Sequence, residues 1–266
     1  MIISPSTISP YRITTYQSGS GGFDPDAQAF IDAALITGAT QQEALNDYVL
    51  SLKNIGVWNK LDAIYPMCPI DDLTATRDSY KFNIKDPRDL DAAFRITWIN
   101  SPTASVSGIT GDGSSSYGNT NYNANSNAIL NDHCLGFVGD IGGNNMGASV
   151  ANNPYNSFLG GRYWGVNSGF SNNAGCYTDG FVLQQRTASN AMAIYDDSST
   201  PSATSAAVSS SMPNINYYIL ARNINNSPSG FSSTTYNHFF FGSSLSTSEI
   251  NDFINAIETF NTALGR

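Results

Sequence analysis

The sequence predicts a mainly β protein: an antiparallel β-sandwich preceded by a helical hairpin and followed by one long helix. Three observations carry that prediction. Apolar residues recur at helical spacing only within residues 24–56 and again from 246 to 264. Between about 57 and 243, short apolar or aromatic runs alternate with clusters of Gly, Asn, Ser and Pro, the pattern of many strands joined by turns. No helices alternate with these strands, which favours a sandwich or jelly roll over a parallel sheet.

Residues 1–23 form a segment of their own, closing on Ser18-Gly19-Ser20-Gly21-Gly22, a hinge composition. Ile8, Tyr11, Ile13 and Tyr16 are apolar enough to dock on a surface. Two readings stand: a frayed tail, or an assembly arm that pairs with a neighbouring subunit. The hairpin follows over 24–56. Asp24 is a good N-cap with Pro25 at the first helical position, and Gly38 is the expected stop. Thr40-x-x-Glu43 forms a capping-box pattern, and Gly56 ends the second helix. The apolar stripes Ala27, Phe30, Ile31, Ala34, Leu35 and Leu45, Tyr48, Val49, Leu52, Ile55 require a sheet or a partner to cover them.

Residues 57–266 are expected to form the sandwich with the last helix packed on it. Candidate strands are 80–84, 92–99, 134–138, 157–160, 180–184, 191–195, 217–222 and 239–242. The Ser/Ala/Thr-rich stretch 198–211 reads as a surface loop or weak edge strand. The last helix is the best punctuated. Ser246-x-x-Glu249 is a capping box, Leu245 and Ile250 occupy hydrophobic-staple positions, and Ile250, Phe253, Ile254, Ile257, Phe260 and Leu264 share one face.

Composition narrows the function. Charged residues are only 12% of the chain, about half the usual share, and Asn, Ser, Thr and Gly replace them. Such a surface suits packing against neighbours or contact with neutral polar ligands such as sugars. A net charge of −9 leaves no basic stripe for phosphates and argues against nucleic acid. Cys68, Cys134 and Cys176 are odd in number and contain no C-x-x-C pair, so buried small hydrophobes are expected rather than disulfides or a zinc cage. The first residues lack the basic and apolar regions of a secretory signal, and no apolar run reaches membrane-spanning length. The expectation is a chain made in a cytosol without membrane insertion.

The sequence predicts no catalytic residues, metal site or cofactor. Sugar hydrolysis needs two placed carboxylates. Glu43, Glu249 and Glu258 all fall in predicted helices. The β-region aspartates, including Asp86, Asp89, Asp91, Asp112, Asp132, Asp140, Asp179, Asp196 and Asp197, mostly sit beside Gly, Asn, Pro or Ser, which is turn chemistry. Asp89-x-Asp91 could share a strand face, or belong to a turn that enters a strand. His133 and His238 are the only histidines; adjacent His133 and Cys134 point apart in a strand, and no G-x-S-x-G elbow exists. Asp140, Asn144 and Asn145 are the best loop oxygens for a Ca²⁺ ion or for sugar hydroxyls. Tyr163 and Trp164 follow Gly160-Gly161-Arg162 and offer either a sugar-stacking platform or ordinary strand core.

One resemblance adds to this. Ile64-Tyr65-Pro66 and the run Lys81-Phe82-Asn83-Ile84-Lys85-Asp86-Pro87-Arg88-Asp89-Leu90-Asp91-Ala92-Ala93-Phe94-Arg95 resemble predicted virion proteins of tailed phages. Val57-Trp58-Asn59-Lys60-Leu61 and the ending from Phe240-Phe241-Gly242 to Thr262-Ala263-Leu264-Gly265-Arg266 are similar to the same group. The likeness spans about 24–100 and 236–266. It implies a laminin-G-like, concanavalin-like jelly roll with a structural or host-surface role on a virion: capsid decoration, fibre or tail appendage. It implies other virion proteins as partners, with a host-surface glycan as a further candidate, and supplies no catalytic residues. The tethered apolar arm, the missing export signal and the sparse charge predict a homo-oligomer or a particle-bound chain. A carbohydrate-binding module and a glycan hydrolase are the competing functions.

Overall fold

The computed structural model describes residues 22–139, 146–150, 156–160, 163–168, 171–172 and 180–266. The segment containing Ile8, Tyr11, Ile13 and Tyr16 lies outside them, as do Asp140, Asn144, Asn145 and Cys176.

The hairpin consists of α1 (Pro25–Ala34) and α2 (Ala39–Asn54). Asp24 caps α1 by accepting from Asp26 N–H, with Pro25 at the first position. The chain leaves α1 earlier than Gly38, through Leu35 in the left-handed region at φ 55°. Gly38 instead precedes α2, and the Thr40–Glu43 capping box does not form because Thr40 is already inside the helix. Gly56, at φ 79°, closes the hairpin as expected.

The first sheet contains β1 (Leu61–Tyr65), β3 (Thr103–Ser105), β4 (Gly108–Thr110), β6 (His133–Gly139), β11 (Gly180–Ala188), β12 (Ala191–Asp196), β13 (Ala203–Ser205) and β17 (Thr235–Gly242). Its order is β13-β12-β11-β6-β17-β4-β3, with β1 also paired to β17. The second contains β2 (Thr97–Ile99), β5 (Tyr117–Asn123), β7 (Met146–Ser149), β8 (Asn156–Gly160), β9 (Tyr163–Ser168), β10 (Ser171–Asn172), β14 (Asn216–Ile219), β15 (Arg222–Ile224) and β16 (Ser227–Ser229). Its order is β10-β9-β8-β7-β14-β5-β2, with β15 parallel to β7. The other pairings of described strands are antiparallel. Short helices α3 (Arg77–Tyr80) and α4 (Ala124–Asn127) sit in the connections, and α5 (Thr247–Ala263) closes the chain.

Three expected strands are corrected. Residues 80–84 are not a strand. Thr76 and Ser79 form a capping box that turns the chain into α3, and Asn83 then bridges tightly to Asp86. Residues 92–99 begin as a single 3₁₀ turn, Asp91–Ala93, and Phe94 adopts φ 60°, so only Thr97–Ile99 is extended. Residues 217–222 are broken at Leu220, φ 63°, which separates β14 from β15. The Asn-rich β5 escapes detection because Gly and Asn disfavour strands; its inward positions are Gly118, Thr120 and Tyr122, and Thr120 donates to Tyr217 O at 2.8 Å.

The molecule has three layers: helices α1, α2 and α5, the first sheet, and the second sheet. One core lies between helices and first sheet, around Phe30, Leu52, Phe181, Phe240, Phe253 and Ile257. The other lies between the sheets, around Leu135, Phe137, Phe239, Phe241, Ile219 and Trp164. β17 therefore alternates between two buried faces. Its run His238-Phe239-Phe240-Phe241 is continuous because a strand covered on both sides has no wet face. Gly136 makes room for this packing: a Cβ there would meet the Phe240 ring at 2.5 Å and Val182 O at 2.3 Å.

β11 ties the layers with successive polar side chains. Gln184 reaches the second sheet, accepting from Gly165 N–H at 3.0 Å and donating to Phe158 O at 2.9 Å. Gln185 faces the helices and holds the backbone of Leu245, accepting its N–H at 2.8 Å and donating to its carbonyl at 3.0 Å. Arg186 is fully buried and donates to the carbonyls of Val166, Ala188, Ser189 and Ala207. Just beyond Leu245, the Ser246–Glu249 capping box forms as expected, and α5 lies against α2.

Candidate functional site

The residues expected to contact a sugar are not gathered at one described surface. Trp164 is 2% exposed and belongs to the core between the sheets, so it presents no stacking face. Tyr163 pairs through its backbone with Gly160 and Asn172. Asp89-x-Asp91 lies in a loop, not on a strand face. Lys81 and Arg95 hold Asp89 at 2.9 Å, and Arg95 holds Asp91 at 2.5 Å. Asp86 is held by Arg88 through both oxygens, at 2.7 and 2.5 Å. The segment 86–95, exposed from Arg88 to Ala92, is thus a clasp closed by ion pairs within itself and with Lys81.

Behind this clasp lies a depression of about 350 Å³ that the sequence reading did not reveal. Asp62 comes from β1, where it interrupts the buried run Leu61, Ala63, Ile64 and Tyr65. Lys85 follows the bridge at Asn83. The Asn83 side chain is buried and sets the geometry: its oxygen accepts from the backbone N–H of Ile64 and Lys85, and its amide donates to the carbonyls of Asp62 and Ala93. That amide therefore joins β1, the Lys85 turn and the helical turn at Asp91–Ala93. Phe94 forms a wall, edge-on to the Tyr122 ring at 5.1 Å.

Burial shifts both charged groups. It raises the Asp62 carboxyl above its ordinary range, although Tyr122 donates to Asp62 Oδ2 at 2.8 Å and Lys85 lies near. Burial also pushes the Lys85 ammonium down to about 8; Asp26 and Asp62 oppose that fall and Lys53 assists it. Lys85 Nζ lies 3.9 Å from the Trp58 ring centroid and donates to Trp58 O. The arrangement offers one hydrogen-bond acceptor and one donor across a small concave surface. A second free carboxylate does not join Asp62, because Asp86 is taken up by Arg88.

The histidines lie elsewhere. His133 is buried between the sheets, stacked on Tyr217 at 5.9 Å, and burial depresses it to about 4. His238 lies edge-on to Tyr48 and Phe260 under the helices, and burial again favours its neutral form. Cys68 and Cys134 are buried and free, with thiols pushed up by desolvation. Among the described residues no three His, Cys, Asp or Glu side chains cluster to hold a metal ion. No described helix is long and apolar enough to cross a membrane. The sequence signal for the depression was faint: a lone Asp inside an apolar strand, and a Lys just before an Asp-Pro turn.

No protein-family model matches the chain, and no curated protein matches it. Among solved structures it is similar to a mutant of Trypanosoma rangeli sialidase displaying trans-sialidase activity, at 13% identity and TM-score 0.47. That similarity covers 82% of this chain but only 39% of the sialidase. It is also similar to domain 4 of AbnA, a GH43 extracellular arabinanase from Geobacillus stearothermophilus, in complex with arabinotriose. The identity there is 12%, the TM-score 0.43, and the coverage 73% of this chain and 98% of that domain.

Proposed function

We propose that this chain is a non-enzymatic structural protein of a tailed-phage particle, a concanavalin-like jelly roll that serves as capsid decoration, fibre or tail appendage. The observation that carries the reading is the role of the segment bearing the resemblance. Within residues 81–95 the charged side chains of Lys81, Asp86, Arg88, Asp89, Asp91 and Arg95 are spent on one another. Asn83 is spent on backbone groups of three elements. These residues build architecture: each of those six charged groups has an opposite charge in contact, and Lys85 is the one remaining charged group of the segment.

Other features support the same reading. Glu249 caps α5 and pairs with Lys60, so it is structural. Both histidines are buried, and burial favours their neutral forms. The weakly charged surface suits close packing with other virion proteins, and residues 1–23 are the proposed contact segment. The test is mass spectrometry of purified particles from a lysate of the host that carries the gene, with full-length chain and with residues 1–22 deleted. The expected result is stoichiometric full-length chain in particles and a folded but unincorporated truncation. Particles that lack the full-length chain would overturn the proposal.

A further inference from the structure

We propose that the depression between Asp62 and Lys85 is a binding site for one neutral sugar residue. Lys85 stands apart from the other lysines. Lys53, Lys60 and Lys81 each contact a carboxylate at 2.6–2.9 Å. Lys85 has no carboxylate in contact among the described residues; it donates to one carbonyl and rests on the Trp58 ring. An ammonium carries three donors, so capacity remains. Asp62 accepts from Tyr122 through Oδ2, and a carboxylate has about four acceptor sites. Both groups line the same depression, with exposed Asn59 at its rim.

The ligand class follows from the charges and the walls. Asp62 and Lys85 balance each other, and Asp86 at the border is neutralised by Arg88. The site therefore selects neither an anion nor a cation. It offers a donor and an acceptor to groups that can both accept and donate, which describes adjacent hydroxyls. Leu61, Ala92 and the half-buried Phe94 supply apolar walls for the C–H face of a sugar ring. At about 350 Å³ the depression is at the small end of ligand pockets, which fits one ring and not a chain. A chain with no place in a particle could hold a sugar here equally, so this site is independent of the virion role.

The test is amide chemical-shift mapping on the full chain, titrated separately with D-glucose, D-galactose, D-mannose and N-acetyl-D-glucosamine, and with sodium sulfate and sodium acetate as anionic controls. At least one sugar is expected to shift the amides of Asp62, Lys85 and Phe94 saturably, with a millimolar Kd. Asp62→Asn and Lys85→Met are each expected to weaken that sugar about tenfold, equivalent to about 1.4 kcal/mol. The proposal is overturned if no sugar moves these amides, if shifts map elsewhere, or if only the anions move them. The mapping on the unaltered protein decides the matter even where a variant fails to fold.

Discussion

Replacing Arg186 with Met tests whether the inner polar ties of the sandwich stabilise it. The guanidinium is fully buried and, among the described residues, has no carboxylate partner; four backbone carbonyls hold it, the nearest Val166 O at 2.7 Å. Met fills a similar volume, so little cavity is expected, and the effect reports the polar contacts. Ala188 and Ser189 are exposed and Ala207 is half-exposed, so their carbonyls can turn to water. Val166 is wholly buried, and its carbonyl loses the guanidinium as a partner, at a cost of about 1–3 kcal/mol. Loss of the tie between β9, the 188–189 turn and the 207 loop adds to this, giving an expected destabilisation of about 2–4 kcal/mol. Opposing it is relief from burying a charge, which can make such replacements neutral. Urea unfolding of wild type, Arg186→Met and Arg186→Lys gives the answer. Lys retains the charge but not the planar fork, so it should fall between the other two. A change within about 0.5 kcal/mol for Arg186→Met would refute the reasoning and show that desolvation offsets the four bonds.

Other outcomes are equally definite. Phe253→Ala removes a fully buried ring packed on Phe181 and Phe240, and should cost about 3–5 kcal/mol in the same unfolding assay; a loss below about 1 kcal/mol would mean α5 does not depend on this contact. Ser246→Ala deletes the N-cap of α5 and should cost about 1 kcal/mol, with little change expected from Ser248→Ala as the neighbouring control. His133 is depressed from 6.5 to about 4, so between those values the unfolded chain binds more protons than the folded one. Stability should therefore fall as pH drops from about 6.5 towards 4, and His133→Asn should flatten that slope relative to wild type in urea midpoints measured across the window. An unchanged slope would show that His133 does not carry it.

The helical ends were legible because their signals are local. Asp24 with Pro25, Gly56, and the Ser246–Glu249 capping box act within one turn of the chain, and each appears where the sequence places it. The exception is instructive: Thr40 and Glu43 match the capping-box pattern, yet the chain turns at Leu35 and Gly38, and the box falls inside the helix. Strands with strong apolar content, such as β6, β11, β12 and β17, were equally plain. β5 was not, since its inward positions are Gly118, Thr120 and Tyr122 and its stability comes from pairing with β2 and β14.

By itself the sequence determined the class of the protein: many antiparallel strands with a helical hairpin before and a capped helix after, and a weakly charged composition. Composition and short-range spacing suffice for that, because turns, caps and alternating burial are properties of a few consecutive residues. Only the tertiary structure decided that the helices cover the outer face of one sheet, that Trp164 points into the core, and that Asp62 and Lys85 share a depression. These depend on contacts between residues distant in sequence. Asp62 meets Tyr122 across 60 positions, and Lys85 meets Trp58 across 27, through a fold whose register no local pattern encodes.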